Sequence, residues 1–408
     1  MQKGLIVMSR KESLKIHVIQ KVEEKLMKQK TASKSLKCTE RHIRRLLKEY
    51  RKNGIEALIH KSRGQHSSRK VSEKETERIT KLYRADYTGF GPTLFKEKLE
   101  EKNIFRAKET IRQILINDES WVDKPKKKKY RKQRERMPNA GMLVQVDGSH
   151  DDWFEDRAPR CVLMAFIDDA TSLVYCKFYE YEGTMPALDS FIGYIQKFGI
   201  PLALYADLHQ TYKVNNKKLT IEDELNNNYP LSKFQEAIQE LGVQIIPAYS
   251  PQAKGRVERL FRTLQDRLKK ELRINKILNI KDANKFLPTF LTAYNKKFAK
   301  KHLSQGDVHK SALPISILRK NLCIKIKRSV GNDFTVRNDN FVYQIKESTL
   351  SKKVTIEKHT NGLLLIKDKY DKPLKYTTIK KPGTTKKEAN GKWDMPKIDP
   401  ISRKEIYA

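Results

Sequence analysis

The sequence is short of cysteine, of acid and of long apolar runs. Its four cysteines, Cys38, Cys161, Cys176 and Cys323, are scattered through 408 residues. That count excludes a disulfide framework, and no two stand at a zinc-finger spacing. They read as small buried apolar residues in a reducing compartment. No apolar stretch approaches the roughly 20 residues that cross a bilayer. The opening MQKGLIVMSRKES has neither the apolar core nor the cleavage site of a signal peptide. A cytoplasmic protein without a membrane partner is expected. Acid is scarce relative to base: 49 Asp and Glu face 85 Lys and Arg, a net charge of +36. Such an excess repels itself, so a polyanion is the natural partner, and nucleic acid comes before a membrane surface because no amphipathic anchor is visible.

What is present begins with helices. Residues 14–54 read as three, with Ile19, Val22 and Leu26 striping the first. In TERHIRRLLKEYRKNG, Thr39 caps the third helix, Ile43, Leu46, Leu47 and Tyr50 form its apolar stripe, and Gly54 stops it. Arg41, Arg44, Arg45 and Lys48 then point outward, the pattern of a DNA-reading helix-turn-helix. A plain bundle with a solvated basic face is the alternative. A second helical unit starts at a Ser72–Glu75 capping pattern and ends with AKETIRQILI, where Ala107 stands in place of a capping residue. The run KPKKKKYRKQRER holds nine basic residues in thirteen. It reads as a linker solvated in the free protein and able to neutralise phosphates, Lys126, Lys127 and Lys128 among them.

From residue 141 the pattern changes to strands, β-β-β-α-β-α-β-α, the order of an RNase H-like fold with a mixed five-stranded sheet. After 301, alternating segments separated by Gly, Asn and Asp fit a small β-barrel. The expected division is a helix-turn-helix domain (1–62), a second helix-turn-helix-like domain (63–121), a basic linker (122–137), the catalytic core (138–300), the β-barrel (301–379) and a polar, disordered tail (380–408). The fold class is multidomain α+β.

Three acids stand out by position. Asp147 ends the first strand, Asp207 ends the fourth, and Glu258 heads the last core helix. Neighbouring first and fourth strands would bring both aspartates to one edge, within reach of Glu258. Three converging carboxylates repel unless cations neutralise them, and Mg²⁺ prefers such oxygen ligands. Two ions would stabilise the attacking and leaving oxygens of a phosphoryl transfer. The bland alternative for Glu258 is a helix salt bridge with Lys254 or Arg262, four residues to either side. Asp168 and Asp169 read as turn residues, and Asp151 and Asp152 are ambiguous. Lys254, Arg262, Gln265 and Lys269 share the face of Glu258 and suggest a track for DNA, with Arg256 close by. His209 is an auxiliary candidate for orienting water or phosphate, with a structural role equally open. Trp121, Trp153 and Trp393 read as packing residues.

The segments QVDGS, FIDDATS, PLALYADLH, SPQAKGRVERLFRTLQDRLKKELR and FLPTFLTAYNKKFA resemble the integrase-core transposases of bacterial insertion sequences, ISNCY type. The resemblance covers about 10–350. It implies a DDE triad at Asp147, Asp207 and Glu258, shared with retroviral integrases, and Mg²⁺ or Mn²⁺ as cofactor. It also implies cleavage at transposon ends, transfer of the 3′-OH into target DNA, and self-association to a dimer or larger on DNA. The partners would be double-stranded terminal inverted repeats and target DNA, in a bacterial, nucleoid-associated setting. The sequence departs from the retroviral pattern in a longer gap between Asp207 and Glu258, filled by the polar stretch 209–231. Two other readings remain: a DNA-binding protein on an inactive RNase H-like core, and a hydrolytic nuclease that does not join ends.

Overall fold

The structure is a computed structural model that describes residues 9–59, 70–122, 134–207, 211–212, 231–248, 254–301, 304, 306–347 and 351–380. The chain divides into two compact units, residues 1–82 and 83–408.

The first unit contains α1 (Arg10–Glu23), α2 (Gln29–Ser35), α3 (Glu40–Asn53) and a 3₁₀ turn (Gly54–Leu58). Thr39 accepts the His42 N–H at the head of α3, and Gly54, at φ 65°, ends it. A reciprocal capping box between Ser9 and Glu12 opens α1. Ile16, Ile19, Val22, Ile43, Leu46 and Leu47 form the core. Leu26 does not join the stripe expected of it. The helix stops at Glu23, and Leu26, in the turn beyond, is 73% exposed. Arg41, Arg44, Arg45 and Lys48 are all exposed on α3.

Helix α4 (Glu73–Asp86) is capped by Ser72, whose Oγ accepts from the Glu75 N–H at 3.3 Å. In the second unit, α5 (Pro92–Glu101) and α6 (Lys108–Asn117) follow, and Tyr83, Tyr87 and Phe95 pack ring against ring. Ala107 occupies the cap of α6 and supplies no side-chain bond, as its sequence predicts.

The central sheet is built on β1 (Val144–Asp151), β2 (Cys161–Asp168), β3 (Val174–Tyr179), β4 (Ala203–Ala206) and β5 (Gln244–Pro247), in the order β3-β2-β1-β4-β5. The first three strands are antiparallel, and β4 and β5 run parallel to β1 and to each other. This is the mixed RNase H-like sheet that the element order predicts. Both faces are covered. Helices α7 (Thr184–Phe198) and α8 (Lys233–Gln239) pack Phe191 and Phe234 on Val144, Val146 and Phe166. Helices α9 (Gly255–Ile274) and α10 (Ile280–Phe298) pack Val257, Leu264 and Leu287 on Leu163, Ala165 and Phe178. Ser232 and Gln235 form the predicted capping box of α8. The outer strand β3 would be an open edge. Two amides of α10 close it: Asn295 bonds Val174 N–H and C=O, each at 2.9 Å, and Asn284 does the same for Phe178.

Two expectations change here. Asp147 does not end β1, because antiparallel pairing with β2 carries the strand on to Asp151↔Cys161. The C-terminal β region is two three-stranded sheets rather than a closed barrel among the described residues. After α11 (Ile315–Asn321) come β6 (Ile324–Ser329), β7 (Thr335–Asn338), β8 (Phe341–Ile345), β9 (Lys353–Lys358), β10 (Leu364–Lys367) and β11 (Tyr376–Lys380). They are arranged β10-β9-β6 and β11-β8-β7 around one core that includes Val336, Tyr343, Ile356 and Ile366. No helix among the described residues is long and apolar enough to cross a membrane.

Candidate active site

Register brings the two aspartates together. Val144 pairs with Leu204 and Gln145 with Tyr205 across β1 and β4. Continued two residues, that register sets Asp147 level with Asp207, where β4 has ended and β1 is still held by β2. The gap so created is filled by Lys254, whose Nζ lies 3.0 Å from Asp147 Oδ1 and 3.5 Å from Asp207 Oδ2. The aspartates differ in setting: the side chain of Asp147 is 18% exposed and that of Asp207 is 37%. Burial raises the Asp147 carboxyl above its ordinary range. The Lys254 ammonium pulls it down, and the nearby charges of Asp207 and Glu182 push it up again.

Glu258 sits on the first turn of α9, with its N–H donating to the Lys254 carbonyl at 3.1 Å. It is thus one turn, about 5.4 Å of rise, beyond the residue that holds both aspartates. Its side chain is exposed. Among the described residues, neither Lys254 nor Arg262 pairs with it, so the helix salt bridge does not form. Lys254 lies outside the helix at the N-cap and points to the strand aspartates. What fixes the head of α9 is Gln145. Its Oε1 accepts the otherwise orphaned Val257 N–H at 3.2 Å, and its Nε2 donates to Asp169 Oδ1 at 3.0 Å. Asp169 also takes Arg256, at 3.3 Å, Arg134 and the Met137 N–H. One strand therefore carries both Asp147 and the side chain that positions the helix bearing Glu258.

This network corrects two readings. Asp169 is more than a turn residue: it is fully buried and joins the end of the basic linker, β1 and α9. Asp168 does serve the turn, accepting from Thr171 N–H and Oγ1, each at 2.7 Å. Arg256, expected to contact DNA, is instead half-buried against Asp169, and also donates to the Arg134 carbonyl. Of the basic track, Arg262 is exposed, while Lys269 pairs with Asp151 at 2.9 Å and lies over the Trp153 ring. Trp153 is a packing residue whose Nε1 donates to the Ser149 carbonyl at 3.0 Å. His209, Lys126, Lys127, Lys128 and Trp393 lie outside the described residues.

Two neighbours of the site escape sequence reasoning. Glu182, in the turn before α7, accepts from His150 Nε2–H at 2.8 Å when the imidazole carries its proton on that nitrogen. Its carboxyl packs on Gly148, where a Cβ would come within 2.8 Å of it. Tyr212 lies inside a stretch that reads as a polar insertion, yet it is buried edge-on against Phe234. Burial, then the charges of Glu182, Asp147 and Asp207, drives its hydroxyl well above the ordinary phenol range. The DG in QVDGS and a tyrosine in a polar run were the available signals.

An all-carboxylate donor set on adjacent strands, already holding one cation, fits a hard divalent ion. The chain thus combines a mixed RNase H-like sheet of the integrase type with a helix-turn-helix unit. Comparison with known proteins agrees. A winged helix-turn-helix family profile matches residues 15–77. The chain is 34% identical over 355 residues to a transposase-family protein designated y4bF in Sinorhizobium fredii, covering 86% of this chain and 76% of that protein. It is 30% identical to the transposase for insertion sequence IS1202 of Streptococcus pneumoniae, covering 71% of this chain and 69% of that protein. Solved structures with local similarity include the HTLV-2 integrase catalytic core in complex with magnesium, at 18% identity and TM-score 0.27 over 36% of this chain and 83% of that one. A simian T-cell lymphotropic virus intasome matches at 15% identity and TM-score 0.32, over 73% and 98%. The chain belongs to this family of insertion-sequence transposases.

Proposed function

We propose that the chain binds the terminal repeats of its own insertion sequence, cleaves them and joins their 3′-OH ends to target DNA. The reading is carried by Lys254, whose ammonium bridges Asp147 and Asp207 and marks a cation site on adjacent strands of a transposase-family chain. Asp147, Asp207 and Glu258 would hold Mg²⁺ or Mn²⁺, and a pair of such ions supplies charge stabilisation to the attacking and leaving oxygens. In the metal-free protein Lys254 neutralises the two aspartates. When it leaves them, its ammonium is placed to meet a DNA phosphate. Gln145 and Asp169 keep the head of α9, and with it Glu258, in register with β1. In the first step water breaks the P–O3′ bond at the transposon end and leaves a 3′-OH. That hydroxyl then attacks a target phosphodiester, forming the new junction and releasing a target 3′-OH.

The exposed cations of α3 grip the terminal repeat, and two ends are held by at least two copies of the chain. The domain limits read from sequence serve this division of labour: recognition N-terminal, chemistry over 138–300. A bacterial cytoplasmic location follows from DNA as substrate. Asp147→Asn, Asp207→Asn and Glu258→Gln should each abolish cleavage of terminal-repeat DNA while leaving its binding intact. Near-normal cleavage by any one of them removes that residue from the site.

A further inference from the structure

The sheet β10-β9-β6 has two unlike faces. Val354, Ile356 and Ile366 lie on its apolar face, in the core of the C-terminal sheets. The other face holds Glu357, His359 and Lys367, with Cys323 just before β6, and all four are buried. Ile324 pairs with Lys358, which sets Cys323 level with His359. Helix α11 reaches both: the Arg319 carbonyl accepts from His359 Nδ1 at 2.9 Å, and the Lys320 carbonyl accepts from Cys323 Sγ at 3.2 Å.

The polar atoms are left in a particular state. Donation by Nδ1–H to a carbonyl leaves the lone pair of the neutral imidazole on Nε2, the arrangement found in metal-ligating histidines. Glu357 Oε1 is taken by Lys367 Nζ at 3.0 Å. Its Oε2 lies 3.4 Å from His359 Nε2, and neither atom has a hydrogen-bond partner among the described residues. Two lone-pair atoms this close need a proton or a cation between them. Sulfur, nitrogen and oxygen donors of Cys323, His359 and Glu357 all lie within 4.8 Å of one another.

We propose that Cys323, Glu357 and His359 bind one structural Zn²⁺ that ties α11 to this sheet, at a site separate from the acids of β1, β4 and α9. Thiolate, imidazole and carboxylate are the zinc donor types, and a water completes the tetrahedron. Lys367 stays on the carboxylate oxygen that the metal does not use. The zinc–sulfur bond forms as the S–H bond breaks, and the proton goes to solvent.

The test uses the full chain carrying Asp147→Asn and Asp207→Asn, which removes the acidic site as a source of metal. After equilibration with Zn²⁺ and desalting, one zinc per chain should remain by elemental analysis. Co²⁺ in its place should give a thiolate-to-cobalt charge-transfer band and intense tetrahedral visible bands, both lost in Cys323→Ser. Should that variant fail to fold, His359→Gln carries the test: retained folding with at least tenfold weaker zinc binding is expected. No retained zinc and no thiolate–cobalt band would mean that a proton, not a metal, sits between Glu357 and His359. A band that persists in folded Cys323→Ser would place the thiolate elsewhere and overturn the proposal equally.

Discussion

Asp147 is held in a setting that disfavours its own charge. Its carboxyl titrates above the ordinary range because burial disfavours the charge. A group whose folded pKa is raised contributes stability below its unfolded pKa, and that contribution is lost as pH rises through the folded value. At neutral pH the ionised Asp147 is therefore a burden on the metal-free protein. Asp147→Asn should raise the thermal midpoint without metal at pH 7, with the gain shrinking as the pH is lowered. A lower midpoint at pH 7 would show that the Lys254 bond outweighs burial. Because a proton on Asp147 competes with the ion, the same shift should make apparent Mg²⁺ affinity begin to fall at a higher pH than an ordinary aspartate would impose. Lys254→Ala removes the internal cation from two crowded carboxylates. It should cost about 1–3 kcal/mol of metal-free stability and tighten Mg²⁺ binding, measured by calorimetry, because the ion no longer competes with an ammonium. That Asp147 and Asp207 meet on neighbouring strands was legible in the strand order. The role of Lys254 was not: its spacing of four from Glu258 points to a helix pair, and only the β1–β4 register shows the better-placed partners.

At the scale of elements, the head of α9 is held by a strand side chain rather than by a cap of its own. Gln145→Ala should leave the fold and DNA binding intact but slow cleavage by about 10–100-fold, since small misplacements of a reacting group are that costly. Unchanged cleavage would detach Gln145 from the positioning of Glu258. Asn295→Ala leaves the buried Val174 N–H and C=O unpaired at the sheet edge and should cost about 3 kcal/mol in denaturant unfolding. Strand and helix types in the core were readable from alternation and stripes. Where they stop was less so: β1 runs past Asp147 because β2 continues to pair with it, and Leu26 drops from the core because α1 ends early. Such limits are set by partners distant in sequence.

For the whole molecule, the charge excess belongs to the DNA rather than to any one contact. If Arg44 on α3 meets a phosphate, Arg44→Ala should reduce the slope of log affinity against log salt by about 1. An unchanged slope would take α3 out of the phosphate contacts. The two-part plan, recognition helices followed by an RNase H-like core, was visible because charge and periodicity change together near residue 141. The buried cluster under α11 was not, since Cys323 and His359 are adjacent only through β-sheet pairing. Nor was the split of the C-terminal β region into two sheets, because alternation reports a strand's faces and not its neighbours.

The central claim is tested most directly by joining. Purified protein, DNA carrying the terminal repeats of the element, a supercoiled target and Mg²⁺ should yield covalently joined products with the wild-type chain. Asp207→Asn should yield none at equal DNA occupancy. Joined products from both proteins would contradict the assigned triad, and cleavage without joining would identify a nuclease instead.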